Sequence, residues 1–272
     1  MGHTPTPPDF TGPDSPLAAA LDSRDRETLA MVQAAVARKE VMLAFQPVVA
    51  AQSPETPVFW EGLIRVLDPT GRIIPARDFM GAVETQELGR KLDVLALEEG
   101  IAVLAAEPEL KLALNLSARS IGYGPWRATL DRGLRTAPDI AGRLILEITE
   151  SSAMMVPDLV TAFMADLRAS GLIFALDDFG AGFTSFRYLR DFYFDIIKID
   201  GQFVRGVATD TDNQVLMQAM VQIGQQLDML TVAEQVETRA DAAFLAGIGL
   251  DCLQGYLYGA PTTRPPWTDT GD

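Results

Sequence analysis

Eight short apolar runs with strand character recur along this chain: VMLAFQPVV at 41–49, VFWEGLIRV at 58–66, LKLALNL at 110–116, LILEIT at 144–149, LIFALDD at 172–178, IIKID at 196–200, LTVAEQV at 230–236 and CLQGYLY at 252–258. Between most of them lie stretches such as 78–106, 159–170, 213–227 and 238–246, whose apolar residues fall three and four apart, the spacing of a helix with one buried face. Eight strands separated by helices predict an α/β fold, a TIM-like (β/α)8 barrel. The link at 50–57 is too short to hold a crossover helix. The first two strands are therefore expected to be antiparallel, which makes the first strand a departure from the regular barrel.

Barrel strands buried on both faces should be almost continuously hydrophobic. Instead, the runs carry Glu61, Asn115, Glu147, the pair Asp177 and Asp178, Lys198, Glu234 and Gln254. Consecutive members stand 20 to 54 residues apart, so each step reaches a new strand and the groups can converge at one mouth of the barrel, where barrel enzymes place their chemistry. Any one of them alone reads as a satisfied polar group at a strand end; the set does not. Carboxylates gathered in one concavity repel each other unless neutralised. Oxygen ligands without His or Cys suit hard divalent ions, Mg2+ or Mn2+, and argue against zinc. Adjacent Asp177 and Asp178 would face opposite sides of an extended strand, so both serve one site only if the chain leaves the strand there, with Gly180 and Gly182 supplying the freedom. A carboxylate at such a corner can bridge two ions, an arrangement that cleaves phosphodiesters. Lys198 beside them can orient an attacking water or meet developing charge.

Charge narrows the partners. With 37 acidic and 22 basic side chains the formal charge is −15, which opposes binding to bulk nucleic acid or to an anionic membrane. The single cysteine, Cys252, excludes an intrachain disulfide framework and fits a reducing, cytoplasmic setting. No apolar run approaches the roughly 18 to 20 residues of a membrane span. Residues 1–19, with five prolines in the first sixteen and the only histidine, His3, are expected to form a flexible leader, and 263–272 a flexible tail, around one domain at 20–262.

Taken in order, FQPVV at 45–49, EGLIR at 61–65, LNLS at 114–117, LEITE at 146–150, DDFGAGFTS at 177–185, KID at 198–200, AEQVET at 233–238 and QGYLYGAP at 254–261 resemble the EAL domain family of cyclic di-GMP phosphodiesterases. The resemblance implies hydrolysis of cyclic di-GMP to the linear dinucleotide with two Mg2+ or Mn2+ ions. It implies that Glu61, Asn115, Glu147 and Asp177 hold one ion, and that Asp177 bridges to a second held by Asp178 and Glu234. Lys198 matches the lysine near the nucleophilic water, Glu237 and Gln254 match further active-site positions, and Gln46 and Arg65 resemble substrate contacts. For Arg65 the plain alternative is a strand-end ion pair.

The same resemblance implies a homodimer whose interface lies near the loop from Phe179 through Gly180 and Gly182 to Ser185, with Glu150 expected to anchor that loop by accepting hydrogen bonds from its backbone or from Thr184 and Ser185. Four positions depart from the family pattern. Gly62 replaces an alanine, Gln235 stands where glycine is usual after the metal-binding glutamate, 192–194 lacks a usual proline, and Gly201 stands where arginine is common. None removes an expected ligand. Because members of this family can keep the pocket and lose activity, the rival reading is a cyclic di-GMP receptor that does not cleave, and Gln235 is the feature that favours it. A sensory partner on another chain is left open by the sequence.

Overall fold

A computed structural model describes residues 16–182 and 186–268, the side chains of 16–22, 24, 25 and 186–188 excepted. Its centre is a closed barrel of eight strands: β1 (Val41–Ala50), β2 (Ser53–Leu67), β4 (Leu112–Asn115), β5 (Leu144–Thr149), β6 (Ile173–Phe179), β7 (Ile196–Ile199), β8 (Leu230–Ala233) and β9 (Cys252–Gln254). A ninth strand, β3 (Ile73–Pro75), is attached outside the ring to β2. The pairing of β1 with β2 closes the ring. Barrel strands β2 and β4 through β9 run parallel, whereas β1 is antiparallel to both neighbours, in register from Val41 opposite Val66 to Gln46 opposite Glu61. The tight return at Ala50 opposite Ser53 is the short link read from the sequence.

Two apolar cores follow from the two faces of each strand. Inside the ring, Val48, Phe59, Ala113, Ile145, Ala175, Ile196, Val232 and Cys252, one from each barrel strand, form a separate buried plug. Outside it, the larger core joins the sheet to the surrounding helices through residues such as Leu92, Leu97, Leu130, Met164, Val221 and Leu245.

Three expectations are corrected. Pro16 opens a helix that runs to Arg38, so residues 16–19 of the expected leader are helical, and Val32 and Ala35 near its other end are fully buried. The stretch 78–106 is two helices, Met80–Val83 and Glu87–Ala106, broken by extended Gln86. The break lets Gly89 lie against the Val83 carbonyl, where an added Cβ would come within 2.9 Å of the oxygen. The tail expected to be loose from 263 is ordered as far as Thr268. Thr262 exchanges backbone hydrogen bonds with Phe45 at 2.8 and 3.0 Å, and the Trp267 ring stands edge-on to Phe45 and Trp60 at 5.1 and 5.0 Å. A single indole wedged between two rings outweighs the polar composition around it. Among the described residues, no helix is long and apolar enough to cross a membrane.

Trp267→Ala is expected to lower the unfolding free energy by about 2 kcal/mol, less than a fully buried tryptophan would cost because the ring is half-buried. Urea unfolding of both proteins measures it; an unchanged midpoint would mean that the segment adds nothing to the barrel.

Candidate active site

The position of each mouth residue follows from strand periodicity. Side chains two apart share a face, and two residues beyond a plug residue, towards the strand's carboxyl end, stand Glu61 after Phe59, Asn115 after Ala113, Glu147 after Ile145, Asp177 after Ala175, Lys198 after Ile196, Glu234 after Val232 and Gln254 after Cys252. On antiparallel β1 the order inverts, and Gln46 lies two residues before Val48. The ring of polar groups is thus the interior layer directly above the plug.

Lys198 is its centre. Fully buried, its Nζ lies 2.8 Å from Glu234 Oε1, 2.9 Å from Asp177 Oδ1, 3.1 Å from Glu147 Oε2 and 3.5 Å from Glu61 Oε2. Around it, the Asn115 amide donates to Glu61 Oε1 at 2.9 Å and the Gln254 amide to Glu61 Oε2 at 2.5 Å. Gln254 also donates to Gln46 Oε1 at 3.3 Å, while Gln46 donates to the Gly259 carbonyl at 3.1 Å.

One ammonium cannot balance Glu61, Glu147, Asp177, Asp178 and Glu234 together. Burial pushes Glu61 up, but the Lys198 charge and the hydrogen bonds from Gln254 and Asn115 outweigh it and hold the group below the usual carboxylate range. Glu147 and Glu234 go the other way. Burial drives both well above that range, Lys198 offsets only part of it, and the neighbouring carboxylates add repulsion. Burial also opposes the Lys198 charge, yet Asp177, Glu147, Glu234 and Glu61 together raise its pKa well above the ordinary value. Asp178 is pushed up to about 6 by burial and by the charges of Asp177 and Asp200.

The adjacent aspartates reach one site by a different device from the one expected. The strand continues through Phe179, and Asp178 itself adopts a left-handed conformation, φ +55, within a bulge that shifts the register of β6 on β7 between Leu176 and Phe179. Carboxylate oxygens of Asp177, Asp178 and Glu234 all lie within 4.8 Å of one another, close enough for a shared cation. Glu147 Oε1 and Gln254 Oε1 are buried without a hydrogen-bond donor, as oxygens kept for a cation would be, while Asp177 Oδ1 faces only the Lys198 ammonium. These are hard oxygen donors. Cys252 offers nothing softer, since burial pushes its thiol up to about 12. The residues present fit a divalent ion.

Above this layer opens a cavity of about 380 Å3, walled by Gln46, Glu61, Arg65, Glu234, Gln235, Glu237 and Gln254 together with Pro75, Ala76, Arg77 and Tyr256. Arg65 lies on the cavity wall, and among the described residues it forms no ion pair; its Nη1 donates to the Leu63 and Ile64 carbonyls at 3.3 and 2.9 Å. Arg77 and Tyr256 escaped the sequence reading. Tyr256 stands 61% exposed on the cavity wall, a placement that spacing along the chain does not carry. Glu150, 1% exposed, accepts a hydrogen bond from the Gly180 N–H at 2.8 Å. Gly180 needs to be glycine, having φ +94 and lying against Phe203 and Met220, whereas Gly182 faces the Glu150 carboxylate at ordinary contact distance. Thr184 and Ser185 lie outside the described residues.

Compared with known proteins, the family model described as EAL domain matches residues 29–261. A probable cyclic di-GMP phosphodiesterase of Escherichia coli K12, PdeN, is 32% identical over 236 residues, covering 85% of this chain and 45% of PdeN. The PaMucR phosphodiesterase, solved as a c-di-GMP complex, superposes with a TM-score of 0.78 at 30% identity over 87% of this chain and 97% of that one. The FimX EAL domain of Pseudomonas aeruginosa bound to c-di-GMP gives 0.79 at 26% identity, covering 86% and 96%. The chain spans less than half the length of the curated relatives it matches.

The raised carboxylates make a prediction about pH. A group whose folded pKa lies above its unfolded value binds more protons when folded, so its stabilisation is complete below the unfolded pKa and is lost as pH rises through the folded one. For Asp178 that window runs from 3.8 to about 6, and for Glu147 and Glu234 it starts at 4.5 and extends higher. In chelator, stability should therefore fall with rising pH relative to the same protein in Mn2+, which favours the ionised carboxylates. Urea midpoints across this range in both buffers decide it; parallel curves would rule out cation capture at this cluster.

Proposed function

The chain belongs to the EAL domain family, and on that premise we propose that it hydrolyses cyclic di-GMP to linear pGpG, using two Mg2+ or Mn2+ ions per active site. The observation that carries this reading is a complete oxygen-donor layer around one buried lysine, opening into a cavity with arginines on its wall. Glu61, Asn115, Glu147 and Asp177 are assigned to one ion, and Asp177, Asp178 and Glu234 to the other. Bound there, the ions supply a water acidified for attack and neutralise charge developing on the phosphate oxygens.

Protein groups do the rest. The Lys198 ammonium, held among carboxylates at 2.8 to 3.5 Å, donates to the attacking water and meets negative charge as the phosphorus adds an oxygen and releases the 3′ oxygen. Gln254 fixes Glu61, and Gln46 fixes Gln254, so the wall residue Gln46 acts partly through its neighbour. Arg65 and Arg77 present positive charge to an anionic ligand, while Tyr256 and Glu237 offer a ring face and an acceptor to a guanine. Asp177→Asn should lower turnover by at least about 10³-fold, through both ions, and Lys198→Ala should lower it by about 10² to 10³-fold with little change in cyclic di-GMP binding. Ca2+ should inhibit, because its longer bonds misplace the reacting oxygens. Chromatographic separation of products in Mg2+, Mn2+, Ca2+ and chelator tests all of this. Tight binding without pGpG would favour the receptor reading, and full activity in chelator would sink the two-ion mechanism.

Control is assigned to Glu150. Its side chain holds Gly180, two residues beyond Asp178, and the short helix it opens ends in exposed Met155, followed by exposed Val156 and Leu159. A second copy seated on that apolar face would act on the Asp178 loop through Glu150, and this is the homodimer we propose. Glu150→Ala should reduce turnover and Mg2+ affinity together, each about tenfold, as loss of an outer partner of a metal ligand does. Turnover measured across a Mg2+ titration checks it; overlapping curves would leave Glu150 with no part in control.

A further inference from the structure

Two side chains at the mouth stand in an unusual relation. Gln235 directly follows the ligand candidate Glu234 and is held at φ +54, a conformation that disfavours any residue with a Cβ. Its side chain lies over Gly201, the first residue of the helix Gly201–Val204 and three beyond Lys198. A Cβ built on Gly201 would come 2.7 Å from Gln235 Cβ and 2.5 Å from Gln235 Oε1. Arg205, at the end of the same short helix, donates to that Oε1 at 2.7 Å. The backbone is tied nearby too, with the Glu234 N–H bonded to the Ile199 carbonyl at 3.1 Å and the Val236 N–H to the Gln254 carbonyl at 2.9 Å.

We infer that Gln235 is a positioning residue: packed into the notch left by Gly201 and held by Arg205, it keys the exit of β8 to the exit of β7 and so fixes Glu234 against Lys198 and the aspartate pair.

The geometry makes the interlock reciprocal. Gly201 has no left-handed φ, so its own backbone would accept a side chain, and the obstacle is Gln235. A new rotamer of Gln235 could withdraw Oε1 but not Cβ, whose place is set by the backbone. A side chain at 201 therefore has to move the Gln235 backbone, and Glu234 is the next residue along. The strain of the left-handed Gln235 persists because its Arg205 hydrogen bond and its packing over Gly201 hold it. A Cβ at 201 would occupy the space that this packing uses. Two features that look like separate oddities of sequence are one contact.

The inference rests on the metal-dependent reading above, and the test separates the two. Mn2+ affinity is measured from the electron paramagnetic resonance signal of the free ion for the parent protein, Gly201→Ala, Gln235→Gly and the double variant Gly201→Ala with Gln235→Gly. Gly201→Ala should weaken Mn2+ binding by about tenfold, the scale seen when outer partners of metal ligands are disturbed. Gln235→Gly should weaken it by about threefold, since the clamp is lost while the backbone strain is relieved. The double variant should match Gln235→Gly, because the alanine then has nothing to strike, and that non-additivity is the signature of direct contact. An equal penalty for Gly201→Ala in both backgrounds, no penalty in either, or parent-like affinity for Gln235→Gly would overturn the positioning role. Failure of the parent protein to bind Mn2+ at all would overturn the metal reading itself, and the inference with it.

Discussion

A buried ammonium among carboxylates is the interaction on which this structure turns. Lys198 alone could not be buried inside an apolar barrel, because the desolvation cost is several kcal/mol for an unpaired charge. Nor could Glu61, Glu147, Asp177 and Glu234 be placed facing one another without it. Each makes the others tolerable, and the eight-stranded ring brings them together from separate strands without any loop having to order itself. The balance is deliberately incomplete. One positive charge leaves Glu147 and Glu234 with pKa values well above the ordinary, a state that a further cation relieves. A site that stabilised its own carboxylates fully would have little left with which to bind ions.

Much of this was legible in the sequence for one physical reason: a strand's side chains alternate, so a polar residue two beyond a plug residue has to face the same interior. The eight runs and the antiparallel first pair correspond to β1, β2 and β4 to β9. What escaped was whatever depends on contacts between distant segments. β3 has three residues and ends in proline, too little for a periodicity to register. Trp267 sits in a polar tail, and its partners Phe45 and Trp60 are more than 200 residues away in the chain. The bulge that turns Asp178 towards the site was expected of the glycines instead, because aspartate at positive φ is uncommon and no pattern in one sequence announces it. Gln46 and Arg65 both line the cavity, but the hydrogen bonds that hold them, to Gln254, Gly259 and carbonyls of β2, are ones that spacing does not reveal.

The strand ends are held by a repeated device. Asp93, buried in the helix Glu87–Ala106, accepts from the Ser117 N–H at 3.3 Å and the Ser120 hydroxyl at 2.6 Å, just beyond Asn115. Glu150 takes the Gly180 N–H beyond β6, Asp200 takes the Gln202 N–H at 2.8 Å beyond β7, and Asp241 takes the Ala208 N–H at 3.0 Å. Asp93, Glu150 and Asp200 thereby fix how β4, β6 and β7 leave the barrel, while Asp241 ties the turn between the helices Gly201–Val204 and Thr211–Gln226. Backbone amides satisfy hydrogen bonds without bringing a counter-charge, so these acids anchor the mouth without offsetting the field of the carboxylate layer. Asp93 shows the cost, since burial pushes it up to about 7 despite its two donors.

That field bears on the order of events under the proposed function. A protein of formal charge −15 with an electronegative mouth attracts divalent cations and repels a dinucleotide that carries two phosphates. Arg65 and Arg77 on the wall ease the approach but do not reverse the sign of a layer holding five carboxylates against one lysine. Two divalent ions would cancel the layer's charge, because they bring four positive charges to the very oxygens that cause the repulsion and leave the sign to be set by Arg65 and Arg77. Cation capture is therefore favoured before substrate arrives, and the acidity that seems to argue against an anionic ligand is what prepares the site to receive one. Gln235 belongs to the same logic: a residue that fixes Glu234 acts first on how the ions are held and only through them on the phosphate.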